Sequence, residues 1–420
     1  MQEKQIIGLL NDSFPPQIDG VANAVVNYGN ILHARGFSPV VVTPALPEAE
    51  DSPFPYPILR YPSMDTRKGF GYMSGIPFSP SVAKRLDSVD VAVLHSHCPF
   101  ASNFMGRALR NIVNAPLILT YHTRFEIDLA RAIKSVRLQN SCKKILAENI
   151  NACDEVWIVS EGTAQSLRSL GYEGDYIVMP NGVDVPRSRL SPEQVAAYTE
   201  GYDLPEGVPI YLFVGRMRWY KGIRLILDAL AALKAKKLPY RMVFVGDGSD
   251  LPEIQGYARQ LGLEDACIFT GAIRDREALR GWYARANLFL FPSTYDTNGL
   301  VVREAAASSL PSVLIAGSCA SDGTTHNRNC FQVEENAQSL AACLLDLYGK
   351  EDYLRTIGEA ASRELYLSWE DAVDNALKRY DVVIDRYKSG FYPKRYKPVD
   401  NCIHLNAKLM EALSSLPFSK

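Results

Sequence analysis

A chain of 420 residues has room for two core-bearing domains. Its 47% apolar and 22% charged content describes a globular chain rather than a disordered or fibrous one, and a formal net charge of −2 gives no global field to attract nucleic acid. The eight cysteines are scattered with no CxxC pair, which predicts free thiols in a reduced, cytoplasmic setting and argues against a disulfide frame or a cysteine-held metal.

In chain order, MQEKQIIGLL runs straight into an apolar strand without the shape of a signal peptide. No apolar run is long enough to span a bilayer, so any membrane contact is expected on its surface. Gln5–Leu10 is expected as a strand, Asn11–Gly20 (NDSFPPQIDG) as a loop, Val21–Arg35 as a helix and Ser38–Thr43 as a second strand. That succession is the doubly wound signature, in which ligands gather at the carboxyl ends of the strands. No GxGxxG follows the first strand, which argues against a dinucleotide enzyme. Val89–His95 and Pro116–Tyr121 read as further buried strands, the first running into His95 and His97, the second into His122. The two-residue spacing of His95 and His97 suits a metal, but no third ligand accompanies them. Phe125–Ile150 reads as one or two helices in which Arg131, Lys134, Arg137, Lys143 and Lys144 interleave with apolar residues. Such a pattern is either a solvated face over a core side or a basic amphipathic surface for anionic lipid.

Glu155–Ser160, a helix at Glu161–Leu170 and the strand Asp175–Met179 lead to Pro180-Asn181-Gly182-Val183-Asp184. Residues 186–208, dotted with proline, read as a linker. A second doubly wound unit starts at Pro209–Val214 and continues into GRMRWYKG, with Lys221 opening a helix to about Lys237. Arg241–Val245 ends at Gly246-Asp247-Gly248, and Cys267–Thr270 and Leu288–Phe291 are further strands. Three helices are expected between Gln338 and Tyr387, and a basic, aromatic tail, FYPKRYKP, follows with a helix at Leu405–Leu413.

The rest of the chain is organised around Phe291–Pro311: strand end, turn-rich loop, then a helix from Leu300 with Asn298 and Gly299 at its mouth. Asp296 and Glu304 stand in it with seven residues between them. Glu304 lies among Val301, Val302, Ala305, Ala306 and Ala307, so the helix is expected to be buried nearly all round and its carboxylate to need a partner. That partner is an Arg or Lys, or the hydroxyls of a ligand. Free amides and the dipole at Gly299–Val301 suit a phosphate.

These motifs together resemble the retaining GT-B glycosyltransferases of family 4. The likeness spans roughly residues 4–388 and rests on PNGVD, GRMRWYKG and Asp-x7-Glu occurring in the right order on the right elements. The family usually has Glu where Asp296 stands, and often Glu where Tyr220 stands. The resemblance implies an α/β fold of two Rossmann-like doubly wound domains facing a cleft: an acceptor domain over 1–185, the 186–208 linker, a nucleotide-sugar domain over 209–368, a helix at 369–388 crossing back to the first domain, and a 389–420 tail. It further implies metal-independent transfer of a hexose from a nucleotide diphosphate sugar, of the UDP-glucose or GDP-mannose type, to an acceptor hydroxyl. Arg216 and Lys221 would grip the diphosphate with the Gly299, Leu300 and Val301 amides, and Glu304 would hold the ribose. Asp296 would hold the sugar hydroxyls, and His122 would line the opposite wall. Gly20, Asn181, Gly246, Gly248 and Asn298 complete the expected donor site. The PPQIDG loop and the YHT stretch resemble diacylglycerol glucosyltransferases and related mannosyltransferases, which implies a glycolipid acceptor and a peripheral place on a membrane. Two alternatives remain open at this point, a sugar-nucleotide epimerase and a non-catalytic sugar-nucleotide or membrane-binding protein.

Overall fold

The computed structural model describes residues 5–17, 19–67, 73–126, 129, 133–188, 190–392 and 398–414, with only the backbone of 398–400 and 414. The chain forms two compact units, one of residues 1–181 with 369–420 and one of 182–368.

The first unit is built on a seven-stranded parallel sheet. Its strands are β1 (Ile6–Leu10), β2 (Ser38–Pro44), β3 (Ile58–Tyr61), β6 (Val91–Ser96), β7 (Leu117–Tyr121), β8 (Glu155–Ile158) and β9 (Ile177–Val178). A small antiparallel ribbon, β4 (Ser63–Asp65) and β5 (Met73–Gly75), stands apart from it. The sheet order β3-β2-β1-β6-β7-β8-β9 reverses between β1 and β6. Runs such as IIGLL and LILTY are apolar without alternation because the sheet is covered on both faces. The Gly20–Ala34 helix starts behind Asp19, whose carboxylate accepts from the Val21 and Ala22 amides.

The second unit holds a six-stranded parallel sheet in the order β12-β11-β10-β13-β14-β15. The strands are β10 (Ile210–Val214), β11 (Arg241–Val245), β12 (Cys267–Gly271), β13 (Leu288–Phe291), β14 (Ser312–Ile315) and β15 (Phe331–Val333). The order reverses between β10 and β13. Its core joins Phe213, Phe244, Phe289, Phe291 and Phe331 to the apolar faces of the Ile223–Ala235 and Ala337–Leu347 helices.

Several expectations are corrected. The stretch 186–208, expected as linker, carries the helix Pro192–Tyr198, started by a capping box of Ser191 and Gln194. It packs so closely on the Arg276–Arg285 helix that a Cβ at Gly281 would lie 2.5 Å from Tyr198 Cβ. Lys221 does not open the following helix; it closes a 3-10 turn at Trp219–Lys221, and the helix begins at Ile223. Within Phe125–Ile150, expected as one or two helices, Val136–Asn151 is a helix as expected, and Phe125, Glu126 and Leu129 are helical too. Strands β3, β4, β5 and β15, of three or four residues each, carry too little periodicity to be read.

The C-terminal helices belong to the first unit. In Trp369–Lys388, Asp374 pairs with Arg35, Arg379 forks onto Glu155, and Tyr380 is buried. The tail forms a longer helix than expected, Pro398–Ser414, seated on the Pro80–Asp87 and Ala101–Val113 helices. Ile403, Ala407 and Met410 point into the core at helical spacing. Asn406 Nδ2 donates to Pro77 O at 2.8 Å, and the Ser79 amide meets Met410 Sδ at 3.1 Å. Met410→Ala is therefore expected to destabilise this unit by about 2–5 kcal/mol in chemical denaturation. Unchanged stability would show that the tail lies off that core.

Candidate active site

In an open parallel sheet, ligands settle where the strand order reverses, outside the carboxyl ends. In the second unit that point lies between the loops after β10 and β13. A backbone contact fixes these loops together. Gly222 has φ +79°, and a Cβ on it would stand 2.1 Å from Pro292 O. Lys221, beside it, is buried, and its Nζ lies 2.6 Å from Asp296 Oδ2. Ser293 Oγ donates to the same oxygen at 3.0 Å. The rings of Tyr220 and Phe291 each lie 5.7 Å from the ammonium, which adds cation–π attraction.

Arg216 is exposed in the same loop. Both amide atoms of Asn298 are buried without a hydrogen-bond partner among the described residues. Gly299 takes a left-handed φ of +56° as the N-cap of the Leu300–Ala307 helix, and no side chain caps it. The first amides, at Leu300 and Val301, are thereby left to an external acceptor.

Glu304 is half-buried, because its helix is buried on one face only; Val301 and Arg303 share its half-exposed side. The partner of Glu304 is Tyr283, whose hydroxyl donates to Oε2 at 2.9 Å. It is neither Arg nor Lys. Burial raises the Glu304 carboxyl above its ordinary range, and the Tyr283 bond opposes that rise. Tyr283 and Ser293 were not singled out in the sequence, since a tyrosine in LRGWYAR and a serine in a turn carry no motif.

Gly246 and Gly248 follow β11 and lie against the β10 loop. A Cβ on Gly246 would fall 1.9 Å from Gly215 O, and one on Gly248 2.4 Å from Met217 O. The Met217 amide donates to Asp247 O at 2.9 Å. Contact between the two loops thus accounts for both glycines.

The first unit gathers His122 and Asn181 but not Gly20. His122, after β7, is 5% exposed; its Nε2 lies 3.0 Å from His97 Nδ1 and its Nδ1 3.3 Å from Asn181 Nδ2. His95 gives its two nitrogens to Tyr380 OH (2.6 Å) and Thr120 Oγ1 (2.7 Å). Among the described residues no group of three His, Cys, Asp or Glu side chains is placed to hold a metal ion. Gly20 is the exposed first residue of its helix, and a Cβ there would meet nothing within 4 Å. Of the basic residues read as a lipid-facing surface, Arg131 lies outside the described residues. Lys134, Arg137 and Lys144 are exposed and Lys143 is half-buried.

Burial lowers the pKa of all three histidines: that of His122 to about 3, those of His95 and His97 well below the ordinary value. In the unfolded chain each titrates near about 6.5. Unfolding therefore takes up protons as the pH falls below that value. Their stabilising contribution is complete above it and is lost toward the folded values. Each histidine contributes a slope of up to about 1.4 kcal/mol per pH unit, partly offset by the raised carboxyls of Asp12 and Glu304. The denaturant midpoint is expected to fall between about pH 7 and about pH 5; a flat midpoint would show the cluster to be hydrated.

Two family descriptions match the chain, "Glycosyltransferase Family 4" over residues 18–187 and "Glycosyl transferases group 1" over residues 196–364. A GDP-mannose-dependent alpha-mannosyltransferase of Corynebacterium glutamicum is 30% identical over 326 residues, covering 73% of this chain and 71% of that protein. An alpha-monoglucosyldiacylglycerol synthase of Streptococcus pneumoniae is 26% identical over 316 residues, 73% of this chain and 70% of that one. Among solved structures, a glycosyltransferase of Rickettsia africae superposes with a TM-score of 0.70 at 19% identity, covering 91% of this chain and 99% of that chain. A sucrose-phosphate synthase of Thermosynechococcus elongatus does so with 0.69 at 21% identity, covering 91% and 100%. With both Rossmann-like sheets in place and GRMRWYKG and Asp-x7-Glu at the second sheet's switch point, the chain belongs to the family 4, group 1 glycosyltransferases of GT-B fold, enzymes that work with nucleotide sugars.

Proposed function

We propose that the protein is a retaining hexosyltransferase that uses a UDP-glucose or GDP-mannose type donor and glycosylates a membrane glycolipid precursor such as diacylglycerol. The observation that carries the donor reading is the Lys221–Asp296 pair at the β10/β13 switch point, beside exposed Arg216, the unpartnered Asn298 amide and an uncapped helix. In the reaction the bond from the anomeric carbon to the diphosphate breaks and a bond to the acceptor oxygen forms. The acceptor proton leaves with the diphosphate. Arg216, Lys221 and the amides of Gly299–Val301 meet the charge that develops on the leaving group; one such donor typically contributes about 10²–10³ in turnover. With those charges in place the proposed transfer needs no metal ion. Asp296 keeps Oδ1 for sugar hydroxyls while Oδ2 holds Lys221, and Glu304, anchored by Tyr283, accepts from the ribose. His122 offers a neutral imidazole to a substrate hydroxyl. Retention is supported by the alpha linkage named in both curated relatives.

The lipid acceptor is supported by those same names and by the surface of the first unit. Among the described residues, every exposed large apolar side chain except Tyr202 belongs to that unit. In the Val136–Asn151 helix the buried residues, from Leu146 to Ile150, occupy the second half alone. The first half leaves Val136 66% and Leu138 53% exposed beside Arg137, with Lys134 just before it. Apolar side chains flanked by cations suit an anionic bilayer surface. No helix among the described residues is long and apolar enough to cross a membrane.

Arg216→Ala and Lys221→Ala are each expected to lower turnover by about a hundredfold or more, with activity of the parent protein unchanged in chelator. Normal transfer by the double variant, or strict dependence on added Mg²⁺, would overturn the donor site. Co-sedimentation with liposomes is expected to rise with their anionic lipid content and to fall in a Val136→Ser, Leu138→Ser variant. Binding indifferent to both changes would remove the lipid reading.

A further inference from the structure

His97 is buried and touches the one histidine that the proposed site uses. The hydrogen bonds around it run in one direction. Asn181 presents Nδ2, a group that can only donate, to His122 Nδ1 at 3.3 Å. His122 Nδ1 is therefore bare, and its proton sits on Nε2. That proton faces His97 Nδ1 at 3.0 Å, so His97 Nδ1 is bare in turn and His97 carries its own proton on Nε2. His97 Nε2 has no polar partner among the described residues. The Tyr28 ring stands 5.1 Å away with the planes at 67°, an edge arrangement in which a ring N–H can rest on a π face.

His97 is itself held still. Its amide donates to Leu10 O at 2.8 Å, and the His95 ring lies 4.1 Å from its own. His95 does not compete for His122, because Tyr380 and Thr120 occupy both of its nitrogens. Of the two bonds to His122, the one from Asn181 is the longer and weaker, and a substrate O–H displaces it more readily than the one to His97.

We infer that His97 is a positioning residue: by taking the His122 Nε2 proton while Asn181 donates to Nδ1, it holds His122 in the tautomer whose Nδ1 lone pair passes to a substrate hydroxyl at the carboxyl end of β7. The inference rests on the reading that His122 meets substrate. It also recasts His122, which accepts a hydrogen bond and carries no proton to or from the reacting atoms.

The test is ring-nitrogen NMR on the full chain labelled with ¹⁵N-histidine, joined to sugar-transfer kinetics. In the parent protein the His122 signals are expected to show the Nε2–H tautomer. His97→Phe removes the acceptor and leaves the Nε2–H tautomer to Asn181 alone; His122 is then expected to become a mixture with a measurable Nδ1–H population, kcat falling in proportion to that population and donor KM little changed. His97→Gln, whose amide oxygen can take the same proton, is expected to restore both. A proton on Nδ1 of His122 in the parent protein overturns the inference without any variant having to fold. An unaltered tautomer in His97→Phe, or no recovery in His97→Gln, overturns it as well. The expected tautomers in a protein that transfers no sugar would support the lock and remove the transferase reading alone.

Discussion

A lysine ammonium held 2.6 Å from an aspartate carboxylate, on two loops 75 residues apart, is the contact on which the second unit's site depends. Lys221 is nearly buried, and a buried cation without a partner is costly. Asp296 supplies the partner, and Ser293 fixes the carboxylate that supplies it. The contact is possible because Gly222 lets its backbone rest on Pro292, bringing the two loops within reach. A cation placed this way is already desolvated and oriented, which is the condition under which an enzyme's charge needs little reorganisation during a reaction.

The two units present opposite chemistry at their switch points. The second is rich in charge: an exposed arginine, an ion pair and a helix N-terminus. The first is neutral at its heart. Three buried imidazoles are packed among Tyr28, Trp157 and Tyr380, and burial keeps them unprotonated. Neutral imidazoles with fixed tautomers orient hydroxyls without adding charge. Such a setting suits an uncharged acceptor and sugar, and the charged one suits a diphosphate. The C-terminal helices strengthen the first unit: Tyr380 reaches His95, while Met410 and its neighbours close a core that the first 181 residues leave open.

Much of this was legible in the residues themselves. Continuous apolar runs gave the long strands, because parallel strands covered on both faces need no polar alternation. Helical spacing gave the main helices, and residue order alone placed Arg216, Lys221, Asp296 and Glu304 after strands, where ligands collect. The short strands β3, β4, β5 and β15 and the Pro192–Tyr198 helix left too few residues for a period to show. Apolar composition also suggested that the Leu300–Ala307 helix is buried nearly all round; the fold turns Glu304 to a half-exposed side and gives it Tyr283.

The doubly wound class, the family and the residue types suited to a diphosphate are written into the chain, since they follow from local periodicity and short motifs. Which groups are partnered emerges from the folded chain alone: Lys221 with Asp296, Glu304 with Tyr283, His122 between His97 and Asn181. Those pairs join residues 21 to 75 positions apart. Their geometry is set by how strands and glycine-bearing turns stack, and no local pattern in the chain encodes that distance.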